Sequence, residues 1–140
     1  MADKQNISDD EVAVRDLIEA WADAVRRKDY DGILRSHAPD FLMFDVPPPF
    51  KSVGLDAYRK TWDVFFSWSS GPVRFEIQEM DVTAGADVAF AFASMRREGP
   101  GSDGKPEPLD FRLTMCLRKV EGRWLEHRAV TLNRPGFLLG

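Results

Sequence analysis

The chain is poor in the residues that form covalent cross-links or bind metals. Among 140 residues there is one cysteine, Cys116, and there are two histidines, His37 and His127. A single cysteine excludes an intrachain disulfide and a cysteine-rich zinc site, and the histidines lack the His-x-His or His-x-x-x-His spacing of a conventional metal site. We therefore expect no metal and no cofactor. We also expect Cys116, which stands in an apolar stretch, to be a small buried residue.

The chain also lacks an excess of positive charge and a long apolar run. Lys and Arg number 19 against 23 Asp and Glu, which gives a formal net charge of −4, and the basic residues are spread along the chain. Such a charge distribution does not attract nucleic acid or an anionic membrane. No run approaches the roughly 20 apolar residues that cross a bilayer, and residues 1–6 are polar, without an apolar signal core. These features predict a soluble cytoplasmic protein with no nucleic-acid or membrane partner.

Apolar residues, by contrast, are abundant enough for one core. They make up 44% of the 140 residues, which suffices for one domain and leaves little for a second. No internal repeat or long low-complexity segment divides the chain. We expect a single domain over residues 1–140, with its core between about residues 9 and 133.

Helical patterns come first along the chain. Ser8 and Glu11 have the S-x-x-E spacing of a capping box, and apolar residues at helical intervals then predict a first helix over about residues 9–28. A short second helix is predicted at residues 30–37, ended by Pro39. His37 on that helix is interpreted as a packing or capping residue.

A strand and a third helix follow. Residues 41–46 predict a strand that the prolines at 47–49 terminate. From Leu55 the apolar spacing is helical again, and most of the residues on this stripe are aromatic. The stripe consists of Leu55, Tyr58, Trp62, Phe65 and Phe66.

In the rest of the chain, apolar and polar residues alternate with a period of two, which predicts strands. Strand patterns begin near Val73 and run over residues 88–95, 109–120 and 123–132, with a hairpin at Glu121-Gly122 between the last two. In residues 88–95, alanines occupy one face and phenylalanines the other. Antiparallel strands that follow helices imply an α+β domain, with the helices on one face of a bent sheet.

The order of these elements and the residues within them resemble the SnoaL-like branch of the NTF2-like superfamily. The resemblance spans about residues 12–131 and rests on Trp21, residues 28–32, 38–41 and 44–49, Gly54, and residues 89–91, 112–114 and 121–124. It implies a cone-shaped barrel, with N-terminal helices packed on a strongly curved, mostly antiparallel sheet around an internal pocket. It also implies a homodimer formed through the sheet. The superfamily includes isomerases, cyclases and dehydratases, so the fold alone selects no reaction.

Asp45 is the first candidate for chemistry. In a comparison with the ketosteroid isomerases of this superfamily, Asp45 corresponds to their proton-shuttling aspartate. Desolvation by neighbouring aromatic residues would raise its pKa toward that of a general base. The alternative is that Asp45 caps the proline-rich turn. The isomerases' two hydrogen-bond donors correspond to Trp21 and approximately to Thr114, which are weaker donors, so steroid isomerisation is not expected.

Arg112 and His127 are the other catalytic candidates. If Ala129 on the last strand faces inward, His127 does too, and Asp45, Arg112 and His127 converge on one cavity. Two alternatives stay open: Arg112 pairs with an acidic residue at the sheet surface, or one bulge exchanges the face of His127 with that of its neighbours. The acidic residues considered for Arg112 are Glu76, Asp110 and Glu126, and the neighbours of His127 are Trp124, Glu126 and Arg128.

Two functional hypotheses follow. In the first, the domain is a cofactor-independent isomerase, cyclase or dehydratase that acts by proton transfer on a small apolar carbonyl or hydroxylated compound, with Asp45 as base. In the second, it is a non-catalytic metabolite-binding or dimerisation module. Candidate ligand-binding residues are Trp21, Tyr30, Phe44, Tyr58, Trp62, Phe66 and Thr114.

Overall fold

The computed structural model describes residues 8–45, 49–68, 71–100 and 105–133. Within these ranges the chain forms three helices and six strands. In chain order they are α1 (Asp9–Arg26), α2 (Tyr30–Leu34), β1 (His37–Phe44), β2 (Lys51–Val53), α3 (Leu55–Ser67), β3 (Arg74–Ala84), β4 (Val88–Pro100), β5 (Pro106–Val120) and β6 (Arg123–Asn133).

The start of α1 confirms the predicted capping box. The Ser8 hydroxyl accepts from the Glu11 backbone N–H, and the Glu11 carboxylate accepts from the Ser8 backbone N–H. These two bonds satisfy donors that the first helical turn leaves open. The helix ends at Arg26, before Lys28 adopts a positive φ of 55°.

The region around Pro39 differs from the prediction. The second helix ends at Leu34, and His37 begins β1 instead of lying on a helix. Pro39 lies inside β1, where the register with β6 skips from His37 to Leu42. A proline has no N–H to donate and is tolerated where ladder pairing is interrupted, so this irregularity accommodates it. Val46, the predicted strand end, lies outside the described residues.

All six strands form one sheet in the order β2-β1-β6-β5-β4-β3. Only β1 and β6 pair in parallel among these strands, and the other neighbours are antiparallel. Among the described residues the sheet does not close on itself, because β2 and β3 each have one neighbour. The predicted α+β class with a mostly antiparallel sheet is confirmed. The short strand β2 was not predicted, because three residues beside prolines carry too little alternation.

The sheet has an inner face toward the helices and an outer face. On β4, Ala91 and Met95 are buried in the core, whereas Phe90 and Phe92 are exposed on the other side. Helix α1 packs against β3, and α3 packs against β1 and β2. The alternation of β5 places Cys116 on the outer face, so the predicted burial of Cys116 is wrong.

The β5–β6 hairpin turns where it was predicted. Glu121 and Gly122 have φ values of 50° and 80°. Positive values at both central residues are typical of the two-residue turn that matches the twist of paired strands. None of the helices in the described ranges is long and apolar enough to cross a membrane.

Candidate functional site

Aromatic side chains from four elements fill the space between the helices and the inner face of the sheet. Tyr58 and Trp62 come from one stripe of α3, and both are buried. The Trp21 ring on α1 lies 6.0 Å from that of Trp62 and 5.4 Å from that of Phe75 on β3. The Phe41 ring on β1 lies 4.7 Å from that of Tyr58. These rings form an apolar interior.

Two of these aromatic side chains bring polar groups into the interior. The indole N–H of Trp21 donates to the Tyr58 hydroxyl at 3.2 Å. Burial raises the pKa of Tyr58 far above its ordinary value, and the carboxyl groups of Glu126 and Asp45 raise it further. Tyr58 is therefore a neutral phenol at any physiological pH, and it lies within electrostatic reach of both carboxyl groups.

His37 and Glu126 form a buried pair beside Tyr58. His37 Nε2 lies 3.2 Å from Glu126 Oε2, and the two side chains are 1% and 3% exposed. Burial raises the pKa of Glu126 to about 8. Burial lowers the pKa of His37 to about 3, against a smaller opposing effect of the Ile33 backbone. At neutral pH both groups are uncharged, because an isolated charge this deep loses its hydration.

Asp45 lies at the end of β1 and is half-buried. Its backbone N–H donates to the Phe50 carbonyl at 2.9 Å, which closes the turn toward β2. Its side chain accepts a hydrogen bond from the Thr131 hydroxyl on β6. A side chain from a neighbouring strand thus orients the carboxylate.

Arg112 and Thr114 do not join Asp45. Thr114 pairs across the sheet with Val130, whereas Leu113 pairs with Thr131, the residue that contacts Asp45. Successive residues of a strand face opposite sides, so Arg112 and Thr114 lie on the outer face. The expected convergence of Asp45, Arg112 and His127 therefore fails for Arg112, whose exposed side chain fits the surface alternative.

His127 lies at a β-bulge and is buried, with 9% of its surface exposed. Cys116 pairs with Arg128 and Leu117 pairs with Glu126, so His127 is the extra residue of β6. Its Nε2 lies 3.4 Å from an oxygen of the exposed Asp40 carboxylate. A bulge is thus present in β6, and Glu126 is buried, as Trp124 is.

The predicted ligand-binding residues divide into two groups. Trp21, Tyr58 and Trp62 line the interior, and Phe66 is half-buried against Trp62 with ring centroids 5.7 Å apart. The others lie elsewhere: Thr114 is on the outer face, and Phe44 is 49% exposed.

Tyr30 belongs to a contact between α2 and α3 instead of the interior. Its hydroxyl donates to the Asp63 carboxylate. The Arg59 guanidinium lies 4.2 Å from the centre of the Tyr30 ring. These contacts connect the two helices near the surface, so the structure supports a packing role for Tyr30.

Sequence reasoning missed His37 and Glu126 as interior polar residues. The available signal was the alternation of Glu126 with Trp124, which is also buried. Trp124 and Glu126 can face inward together with Ala129 only if a bulge lies between Glu126 and Ala129. In the described parts of the chain, no three His, Cys, Asp or Glu side chains come together as metal ligands would.

Solved structures with the same architecture include proteins described as NTF2-like, as ketosteroid isomerase-like and as having a cystatin-like fold. An NTF2-like protein of unknown function from Pseudomonas putida KT2440 is 29% identical, with a TM-score of 0.79 over 88% of this chain and 85% of the other. A ketosteroid isomerase-like protein from Erwinia carotovora atroseptica SCRI1043 is 21% identical, with a TM-score of 0.74 over 89% of this chain and 96% of the other. A protein of unknown function with a cystatin-like fold from Nostoc punctiforme PCC 73102 is 12% identical, with a TM-score of 0.77 over 96% of this chain and 98% of the other. The two lower identities show the fold alone.

Sequence comparison assigns the family. No curated protein matches the chain. The family model of the SnoaL-like domain matches residues 14–127, which is most of the chain. The chain therefore belongs to the SnoaL-like family of NTF2-like α+β domains.

Proposed function

We propose that this domain binds a small, largely apolar carbonyl or hydroxylated compound in its aromatic interior and catalyses a proton transfer on it, with Asp45 as the proton acceptor. The observation that carries the proposal is the placement of the Asp45 carboxylate. Thr131 orients it at the end of β1, and its charge contributes to the raised pKa of the buried Tyr58 hydroxyl. We place this proton acceptor and this neutral donor at the same apolar space.

These parts suffice for proton abstraction next to a carbonyl group. The acceptor takes the proton from carbon, and a hydrogen-bond donor stabilises the negative charge that develops on oxygen. Tyr58 takes the donor role, for which the resemblance to the isomerases indicated Trp21 and Thr114. The aromatic rings hold the apolar body of the compound and exclude water, which strengthens both polar interactions. Isomerisation, cyclisation and dehydration all need this step.

Deuterium exchange tests the proposal directly. We choose 2-tetralone as the probe, because it is a small apolar ketone with acidic protons beside its carbonyl group. In D2O the wild-type protein should accelerate the loss of these protons from the NMR spectrum. Asp45→Asn should remove the acceleration, and the matched control Asp16→Asn, at an exposed position on α1, should keep it. Equal rates for Asp45→Asn and the wild type would contradict the role of Asp45.

The outer face of the sheet favours a second function, pairing with another copy of the chain. Phe90, Phe92, Val130 and Leu132 are between 43% and 56% exposed and occupy neighbouring positions on β4 and β6, the strands that flank β5. Exposed aromatic and aliphatic side chains on two strands of one sheet face are typical of an interaction surface. We propose that it forms the homodimer expected from the sequence, in which case the domain sediments as a dimer at micromolar concentration.

A further inference from the structure

We propose that a surface cavity between α1 and α2 binds a small carboxylate. The charged end of this ligand meets Arg35, Ser36 and His37, and its short hydrocarbon part lies between the two helices. The proposed proton transfer does not involve this cavity, so the two binding sites are independent of each other.

The cavity has room for a small molecule and opens at the surface. Its volume is about 110 Å³, well above the roughly 10–15 Å³ that one water molecule needs. Ile33 and His37, which are 1% and 5% exposed, line its buried part. The exposed residues Asp23 and Arg35 line its mouth. A molecule of several non-hydrogen atoms therefore fits between the buried part and the solvent.

Apolar side chains form the walls of the cavity between the helices. Leu17, Ala20 and Ala24 on α1 and Ile33 on α2 contribute to them. The two helices approach closely at one edge, because a Cβ added to Gly32 would lie 2.8 Å from the Cβ of Ala24. Apolar walls favour a ligand with a hydrocarbon part over a fully hydrated inorganic anion.

Three consecutive residues bring hydrogen-bond donors to the same cavity. Arg35, Ser36 and His37 all line it, at the point where the chain passes from α2 into β1. No ion pair or side-chain hydrogen bond joins Arg35 or Ser36 to another described residue, and Arg35 acts on the Asp29 carboxylate only from a greater distance. A guanidinium and a hydroxyl are therefore available to a ligand.

His37 supplies the most buried of these donors. Its Nδ1 has no hydrogen-bond partner in the parts of the chain that the structure describes, and the Ile33 backbone acts on the ring only outside hydrogen-bond geometry. Its Nε2 faces Glu126 Oε2 at 3.2 Å. Burial raises the pKa of Glu126 to about 8, so this carboxyl group keeps its proton at neutral pH and faces an acceptor nitrogen. The one proton of the neutral ring then belongs on Nδ1.

The charges around the cavity favour an anionic ligand. The Asp23 carboxylate pairs with Arg27 at 2.9 Å. The Asp29 carboxylate accepts from the Arg27 guanidinium and from the Gly32 backbone N–H, both at 3.2 Å. Both acidic groups are thus engaged, whereas Arg35 has no acidic partner among the described residues. A guanidinium binds a carboxylate through two parallel N–H bonds, and the hydroxyl and the imidazole N–H add two further donors.

The histidines make this site observable by NMR with sodium propionate as the probe. The chain has two histidines, so its spectrum contains two imidazole C2-proton signals, and His127→Gln identifies the signal of His37. Propionate should shift the His37 signal along a saturable curve and leave the His127 signal in place. Sodium chloride at the same ionic strength should shift neither signal. Propionamide, which has no charge, should bind about 10-fold more weakly or worse.

Two variants with matched controls locate the binding site. Arg35→Gln removes the guanidinium charge and should weaken propionate binding about 10-fold or more, whereas Arg118→Gln, at an exposed position on β5, should not. Ala20→Leu enlarges a side chain that lines the cavity and should abolish binding. Ala13→Leu is its control, because both alanines occupy exposed positions on α1 and leucine is well tolerated in a helix.

Two results would overturn the inference. One is a His37 signal that responds to propionate no more than to sodium chloride. The other is an equal propionate affinity in the wild type, Arg35→Gln and Ala20→Leu, because binding would then occur elsewhere. Deuterium exchange of 2-tetralone is a separate measurement, so either result leaves the proposed function unchanged.

Discussion

On β4 the inner and outer faces of the sheet carry side chains of opposite size. Ala89, Ala91 and Ala93 point into the core shared with the helices, and Phe90 and Phe92 point away from it. The large rings of the core come instead from α1, α3 and the flanking strands. The inner face of the sheet therefore packs against an aromatic interior, whereas the outer face of β4 exposes two phenylalanine rings.

The largest expected effect compares a phenylalanine on each face. Phe75 is 1% exposed and packs on Trp21, whereas Phe92 is 53% exposed. Phe75→Ala should lower the free energy of unfolding by about 3–5 kcal/mol, because it leaves a cavity among rings that cannot collapse fully. Phe92→Ala should cost about 1 kcal/mol or less in the monomer. Urea unfolding measures both values, and equal losses would contradict the assignment of the faces.

The buried pair on the inner face should make stability depend on pH. Between pH 4.5 and about 8, folded Glu126 keeps a proton that the unfolded chain has released, so the free energy of unfolding falls as the pH rises. Between about pH 3 and 6.5, folded His37 lacks a proton that the unfolded chain binds, so the free energy of unfolding falls as the pH drops.

The effects of Glu126 and His37 on the free energy of unfolding have opposite signs in the pH range where both groups act. We expect a plateau between pH 4.5 and 6.5 and a decline from there to about pH 8. Urea unfolding of the wild type and of Glu126→Gln over this range measures the effect. The substitution should remove the alkaline decline, and an unchanged decline in Glu126→Gln would show that another group causes it.

A charge on the outer face should separate the dimer. Phe92→Lys places an ammonium group in the apolar surface and should weaken self-association about 100-fold or more, because the charge must be desolvated on pairing. The matched control is Val64→Lys, at an exposed position on α3. Sedimentation velocity compares the three proteins at one concentration. A wild type that sediments as a monomer would contradict the proposed dimer.

The smallest effect concerns the hydroxyl that orients Asp45. Thr131→Val removes the hydrogen bond to the carboxylate but keeps the shape of the side chain. Exchange into 2-tetralone should slow several-fold, and the free energy of unfolding should change by about 1 kcal/mol or less. Thr114→Val on the outer face should change neither quantity. Equal effects of the two substitutions would remove the distinction between the faces.

The sequence predicted the elements that depend on local signals. The capping box at Ser8 and the turn at Glu121-Gly122 both depend on residues close together in the chain, and both are confirmed. The burial of Tyr58 and Trp62 followed from helical spacing alone. Such signals are readable because backbone geometry determines them within a few residues.

The site was harder to predict, because two irregularities decide which side chains face inward. Pro39 suggested the end of a helix, but the skipped pairing between β1 and β6 accommodates it within a strand. The bulge at His127 reverses the alternation of β6 and brings Glu126 into the interior. Both features arise from pairing with residues far away in the chain, so local periodicity could not place them.

The most direct test of the account is a crystal structure of the full chain with 2-tetralone. The account predicts the ketone within the rings of Trp21, Tyr58 and Trp62, with its oxygen toward Tyr58 and a carbon beside the carbonyl group within reach of Asp45. Absence of the ketone from this interior, or its binding only on the outer face of the sheet, would contradict it.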